Sequence, residues 1–179
     1  DMLFTVYCND CIFFSKLDAA IQEVFDSLIC KIPDHPNGHT FEMKIEGELC
    51  NYLGIALNHN SSGMLGMSQY HLTKWIITTT GLDDANPVPM PCVCPLGKEP
   101  NSAPLEESWS MSTVVSMLQY LTNNTWCEIA YAINNIARHC NAPAHANKVA
   151  IKQIVKYLKG SLYKDSSRKE HICGTILNI

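Results

Sequence analysis

The sequence predicts an α+β fold: antiparallel hairpins with one helix, followed by a helical region. Three observations predict it. Residues 2–14 place β-favouring apolar side chains on either side of a short polar turn. Six of the nine prolines crowd into residues 83–108 and divide the chain. Beyond them, three segments carry apolar residues at three- and four-residue spacing, the period of an amphipathic helix.

The elements follow in order. Leu3, Phe4, Val6 and Tyr7 make a first strand, and Ile12, Phe13 and Phe14 a second. Between Cys8 and Cys11 stand Asn9 and Asp10, two residues that tolerate positive φ and suit a two-residue hairpin loop. Ser15 opens a helix, with Asp18 three positions on as a variant of the capping box. Leu17, Ile21, Val24, Phe25, Leu28 and Ile29 share its apolar face. The run "PDHPNGH" at 33–39 ends it. Phe41, Met43 and Ile45 alternate with polar residues as a half-buried strand, Tyr52 to Leu57 reads as another, and Met64 to Met67 as a short return strand. "YHLTKWIITTTGL" predicts a helix closed by Gly81 as its C′ residue. After the proline-rich connector, helices are expected over 111–121, 128–140 and 144–158, with Gly160 closing the last.

Composition narrows the class. With 46% hydrophobic and 17% charged residues the chain is globular and long enough for a real core. No apolar run reaches the roughly 18 residues of a membrane span, and "DMLFTVYC" has no basic region of a secretory leader. Nine cysteines, an odd count without such a leader, do not make a disulfide framework. A reducing, cytoplasmic setting without membrane association is the expectation. The net charge of −4 argues against a chain that is basic throughout, yet Lys148, Lys152, Lys156, Lys159, Lys164 and Arg168 concentrate positive charge near the end.

The hairpin "FTVYCNDCIFFSK" admits several chemistries. Cys8 and Cys11 have the spacing of half a zinc site, but Cys92 and Cys94 are too closely spaced to complete it. A redox pair belongs at a helix N-terminus, and this one lies between strands. As plain strand residues the two cysteines would face each other across the turn. Alternatively the turn itself carries the chemistry. A carboxylate at a hairpin tip is exposed and held in place; carboxylates brought together there bind Mg²⁺, and a metal pair activates a 3′-hydroxyl and stabilises a leaving pyrophosphate.

The segment Tyr7-Cys8-Asn9-Asp10 matches three of four positions of Tyr-x-Asp-Asp. With "DCIFFSKLDAAIQEVFDSL", "GELCNYLGIAL", "SQYHLTKWI", "TTGLDDANPVPMP", "SMLQYLTNNTWCEIAYAINNIAR" and "AIKQIVKYLKGS" in sequence, residues 3–163 resemble the reverse transcriptases of copia-type long-terminal-repeat retrotransposons. The resemblance implies a partial palm followed by thumb and connection. Residues 1–69 would be the C-terminal part of the palm, 70–108 a thumb-like helix and connector, 109–163 helical thumb and connection, and 164–179 the start of a truncated ribonuclease H region. It implies that Tyr7 and Asp10 are motif residues, with Asp10 a Mg²⁺ ligand and Asn9 standing where the motif has Asp. Leu53 and Gly54 match the primer-gripping turn, and Lys148, Lys152, Lys156 and Lys159 would touch the backbone of a template–primer duplex. Deoxynucleotides would be substrates. The family's other catalytic Asp belongs to a strand before this hairpin and is absent here, as are the fingers, the ribonuclease H and the integrase. The expectation is a polymerase fragment inactive alone; the alternative is a non-catalytic nucleic-acid-binding remnant.

Overall fold

In the computed structural model, residues 2–8, 10–29, 49–59, 65–92, 108–141 and 144–165 are described. They fall into two units, one up to Leu53 and one from Gly54 onward. The mix of helices with small antiparallel sheets agrees with the α+β expectation.

The first unit contains β1 (Met2–Tyr7), β2 (Asp10–Ser15), α1 (Asp18–Ile29) and the two-residue β3 (Asn51–Tyr52). β1 and β2 pair antiparallel, with Tyr7 opposite Asp10, Val6 opposite Cys11 and Phe4 opposite Phe13. This register corrects the expected turn. Asp10 belongs to the strand, opposite Tyr7, rather than to the loop, and Cys11 pairs with Val6, so Cys8 and Cys11 do not face each other. Aromatic packing favours the observed pairing. The rings of Phe4 and Phe13 stack at 5.9 Å, and Phe13 meets Phe25 of α1 edge-on at 5.0 Å. The cost falls on Cys8, whose φ of 53° is the left-handed region, unfavourable for a residue with a Cβ. The Ser15 hydroxyl accepts from the Leu17 amide at 3.1 Å, so the helix starts at Asp18. Leu17 is exposed and does not belong to the buried face, while Ile21, Val24, Phe25 and Leu28 are half-buried. The "PDHPNGH" break and the strand expected around Phe41, Met43 and Ile45 lie outside the described residues.

The expected strand over 52–57 is broken. Leu53 and Gly54 have φ of 51° and 76°, the pair of positive values that a type I′ turn requires. β4 (Ile55–His59) follows, antiparallel to β5 (Leu65–Ser68).

The second unit holds the main core, built on α2 (Tyr70–Thr79), α3 (Met111–Asn124), the short α4 (Cys127–Ile129, a 3₁₀ turn), α5 (Ala130–Ala137) and α6 (His145–Asp165). α2 packs on α3 and α6; α5 packs on α3 and α6. Ile76, Val114, Leu118, Leu121, Ile129, Ile133, Ile136, Ile151, Ile154, Val155 and Leu158 are buried together. Each such side chain contributes about 1.5–3 kcal/mol on leaving water. The stripes read from the sequence, Ile129, Ala132, Ile133 and Ile136 and then Ile151, Ile154, Val155 and Leu158, are the buried ones.

The helix ends have local causes. Ser110 caps α3 by accepting from the Thr113 amide. At the end of α2 the Gly81 amide donates to Thr78 and the Leu82 amide to Ile77, with Gly81 at φ 66°. That pair of bonds is a Schellman motif, and Leu82 completes it by burying its side chain. Gly160 does not close α6, which runs on to Asp165. A Cβ at position 160 would lie 2.8 Å from the Cβ of Pro87, so the glycine admits a neighbouring segment.

That segment is the first part of the proline-rich stretch. Residues 82–92 run antiparallel along α6. Lys159 donates its ammonium to the carbonyls of Asp83 and Ala85, Gly160 receives Pro87, and Gln153 donates to the Met90 carbonyl at 2.9 Å. This part is bound to the helical core, and the division between units falls at Leu53 rather than here.

Candidate functional site

Alternation along the strands puts Leu3, Thr5, Tyr7, Asp10, Ile12 and Phe14 on one face of the hairpin and Phe4, Cys11 and Phe13 on the other. On the second face Phe13 packs on Phe25 of α1 while Phe4, Val6 and Cys11 are exposed; on the first face Ile12 is buried. Tyr7 and Asp10 are direct cross-strand partners, both exposed, at the tip of the hairpin. Asn9 lies outside the described residues.

The donor set at this tip is small. Asp10 supplies one carboxylate and Tyr7 one phenol. Among the described residues no three His, Cys, Asp or Glu side chains come together as a metal site. Cys8 and Cys11 are both exposed thiols, as are Cys50 and Cys127, while Cys92 and Cys140 are half-buried thiols. Burial raises the Cys140 pKa, which keeps that thiol protonated at neutral pH.

Leu53 and Gly54 form the β3–β4 turn described above, Leu53 half-buried and Gly54 exposed. A leucine in the left-handed region costs about 1–2 kcal/mol relative to glycine, so Leu53 is the unfavourable position of this turn.

The lysines divide. Lys148, Lys152 and Lys156 recur every four residues along one side of α6 and are half-buried. Lys159 continues that stripe by spacing but is buried, with its ammonium turned onto two carbonyl oxygens. It is a strut between α6 and the 82–92 segment, and it does not present charge to a duplex. Beside it, Tyr157 has its pKa raised by burial and by the Glu128 carboxylate, against a lowering from its hydrogen bond with Ser161. That phenol stays neutral at neutral pH.

Two sequence blocks meet at a buried polar contact. The Thr125 hydroxyl donates to the side-chain oxygen of Gln69 at 2.8 Å, joining the end of α3 to the start of α2. The Gln69 backbone carbonyl in turn accepts from both the amide and the hydroxyl of Thr73. The outward face of α2 was not singled out from the sequence. It carries Tyr70, His71, Lys74 and Trp75, all exposed, at i, i+1, i+4 and i+5. Spacing in "YHLTKWIITT" puts Trp75 opposite the buried Thr73 and Ile77, whereas Tyr70, seven residues before Ile77, is exposed at the first position of the helix.

Comparison with known proteins places the chain more broadly. It is 29% identical over 124 residues to the uncharacterized mitochondrial protein AtMg00810 of Arabidopsis thaliana, covering 69% of this chain and 51% of that protein. It is 26% identical over 157 residues to the retrovirus-related Pol polyprotein from transposon RE1 of the same plant, covering 87% of this chain and 10% of the polyprotein. The chain thus spans about half the length of one relative and a tenth of the other. No family model matches it, and no solved structure matches it. The chain is a retrotransposon-related protein. Among the described residues, no helix is long and apolar enough to cross a membrane.

Proposed function

We propose that this chain is part of a copia-type retrotransposon reverse transcriptase, one that holds a template–primer duplex and does not extend it alone. The observation that carries the reading is the hairpin. Tyr7 and Asp10 are paired and exposed at its tip, as a palm hairpin would present them. Similarity to a Pol polyprotein over 157 residues supports it. On this reading a longer polypeptide would supply the fingers and the remaining carboxylates, and deoxynucleotides would be its substrates.

Mg²⁺ is the metal this chemistry would use. It takes oxygen ligands in a near-octahedral set and is commonly held by one or two carboxylates together with substrate phosphates. Asp10 offers a single carboxylate, and the amide of Asn9 is neutral and a poorer ligand. The described residues do not make a metal site by themselves. The second reading, a non-catalytic nucleic-acid-binding remnant, draws on the stripe of Lys148, Lys152 and Lys156.

One experiment tests both. Given template–primer, deoxynucleotides and Mg²⁺, neither the wild-type chain nor Asn9→Asp is expected to extend the primer. Binding of the same duplex, followed by fluorescence anisotropy, should weaken about 40-fold between about 50 and 200 mM salt, the expectation for three displaced counterions. Primer extension by the wild-type chain would overturn the inactive-alone reading. Absence of binding even at low salt would overturn nucleic-acid handling altogether.

A further inference from the structure

We propose that the outer edge of β1 is a self-pairing surface, at which two copies of this chain join their hairpins into one antiparallel sheet in the order β2–β1–β1–β2. The proposal does not depend on the nucleic-acid reading above.

Exposure singles out this strand. Among the described residues β1 pairs only with β2, so its other edge is open. Open edges are ordinarily blunted by a charge, a proline or a bulge. The strand Met2-Leu3-Phe4-Thr5-Val6-Tyr7 has no charge and no proline, and its register with β2 runs from Met2 to Tyr7 without a bulge. Leu3 is 68% exposed, Phe4 59%, Val6 55% and Tyr7 60%. Leu3 and Tyr7 stand on one face and Phe4 and Val6 on the other. A helix laid on either face would shield only one of these pairs, whereas an added strand flanks both. Of the hydrophobic side chains described up to Leu53, only Ile12 is buried. A two-stranded hairpin is marginal by itself, and further strands supply what it lacks.

The strand's own sequence selects a second copy as the occupant. A two-fold axis normal to the sheet keeps each face continuous, so it must oppose residues of like face. With the axis at Thr5, Thr5 meets Thr5 of the second copy, Phe4 meets Val6, and Leu3 meets Tyr7. Aromatic with β-branched, and Thr with Thr, are among the favourable cross-strand pairs. Centring the axis on Phe4 would instead oppose Leu3 to Thr5 and Met2 to Val6, and would leave Tyr7 without a counterpart in the strand. Charge points the same way. A charged strand would find no counter-charge on β1, while a second copy brings no charge to it. The pairing is isologous, so each β1 edge is used once.

The test is sedimentation velocity of the full chain over a range of concentrations, with thiols kept reduced. A monomer–dimer equilibrium is expected. Thr5 is exposed, and Thr5→Lys sets two like charges opposite each other on the axis, which should raise the dissociation constant at least about tenfold. Thr5→Val keeps a β-branched residue there and should dimerise as the wild type does. A cross-link reads the register without relying on the fold of the lysine variant. Opposed Cα atoms lie about 4.5–5.5 Å apart, within reach of a disulfide. Thr5→Cys treated with glutathione disulfide should therefore give a dimer linked through position 5 in both peptides. Val6→Cys, whose counterpart lies opposite Phe4, should link through position 6 far less. A monomer at every concentration overturns the proposal and leaves the edge to a strand of another polypeptide. A dimer that Thr5→Lys leaves intact, or equal linkage through positions 5 and 6, overturns it as well. The proposed function stands or falls separately, on duplex binding.

Discussion

Replacing Lys159 by Met is expected to destabilise the helical unit by about 2–4 kcal/mol, the largest single-residue effect foreseen in this chain. Methionine keeps the aliphatic stem of the side chain and its packing but removes the ammonium that two backbone carbonyls share. Hydrogen bonds to a charged donor contribute about 1.5–3 kcal/mol each. Part of that loss is offset, because the charged group no longer has to be held away from water and because exposed Asp83 can rehydrate its carbonyl. Urea unfolding followed by far-ultraviolet circular dichroism should show the midpoint falling by about 1–2 M at unchanged slope. Lys156→Met is the control, expected to cost less than about 1 kcal/mol. The two variants should then exchange rank in nucleic-acid binding. Lys156→Met removes a candidate phosphate contact and should reduce the salt slope by about 0.9, whereas Lys159→Met should leave it unchanged. A Lys159→Met protein as stable as wild type, with a reduced salt slope, would restore Lys159 to the binding stripe and refute its role as a strut.

Lys159 also shows where the sequence stops being legible. Its spacing from Lys148, Lys152 and Lys156 is what a solvated cationic stripe requires, and nothing local marks it as different. Its burial is set by residues 74 and 76 positions earlier in the chain. Helical segments were readable because apolar periodicity decides which face is buried: Ile133 and Ile136, or Ile154 and Leu158, could be assigned inward before any contact was known. The cap at Gly81 was readable for a related reason, since a left-handed residue after an apolar helix strongly favours glycine. Hairpin register was not. Placing Asn9 and Asp10 in the loop satisfied turn preference, but pairing Phe4 with Phe13 under Phe25 satisfies packing, and packing prevails even with Cys8 at positive φ. The same conflict hid the turn at Leu53, a residue that turn preference alone would not choose. In the candidate site, chemical identity was legible at Tyr7 and Asp10, whereas their direct pairing needed the register.

Gly160 supplies the second large effect, and its sign is opposite to what helix propensity alone would give. In an exposed helix interior Gly→Ala gains about 1 kcal/mol. Here the new Cβ would stand 2.8 Å from the Cβ of Pro87, an atom fixed in a ring and unable to rotate aside. Overpacking of that severity costs about 3 kcal/mol, so Gly160→Ala should lose about 2 kcal/mol net. Pro87→Gly removes the obstructing carbon, and in that background Gly160→Ala should instead gain its ordinary 1 kcal/mol or so. The coupling in this double-mutant cycle, about 3 kcal/mol, isolates the contact from the loss of proline's own conformational restriction, which appears equally in both Pro87→Gly proteins. Stabilisation by Gly160→Ala in the otherwise wild-type chain would show that residues 82–92 do not lie against α6. The expected cycle, with Lys159→Met destabilising the same seam, would make this stretch of the proline-rich connector a structural part of the helical unit. It would then bear on duplex binding only through stability, with Lys148, Lys152 and Lys156 the candidate phosphate contacts among the described side chains of α6.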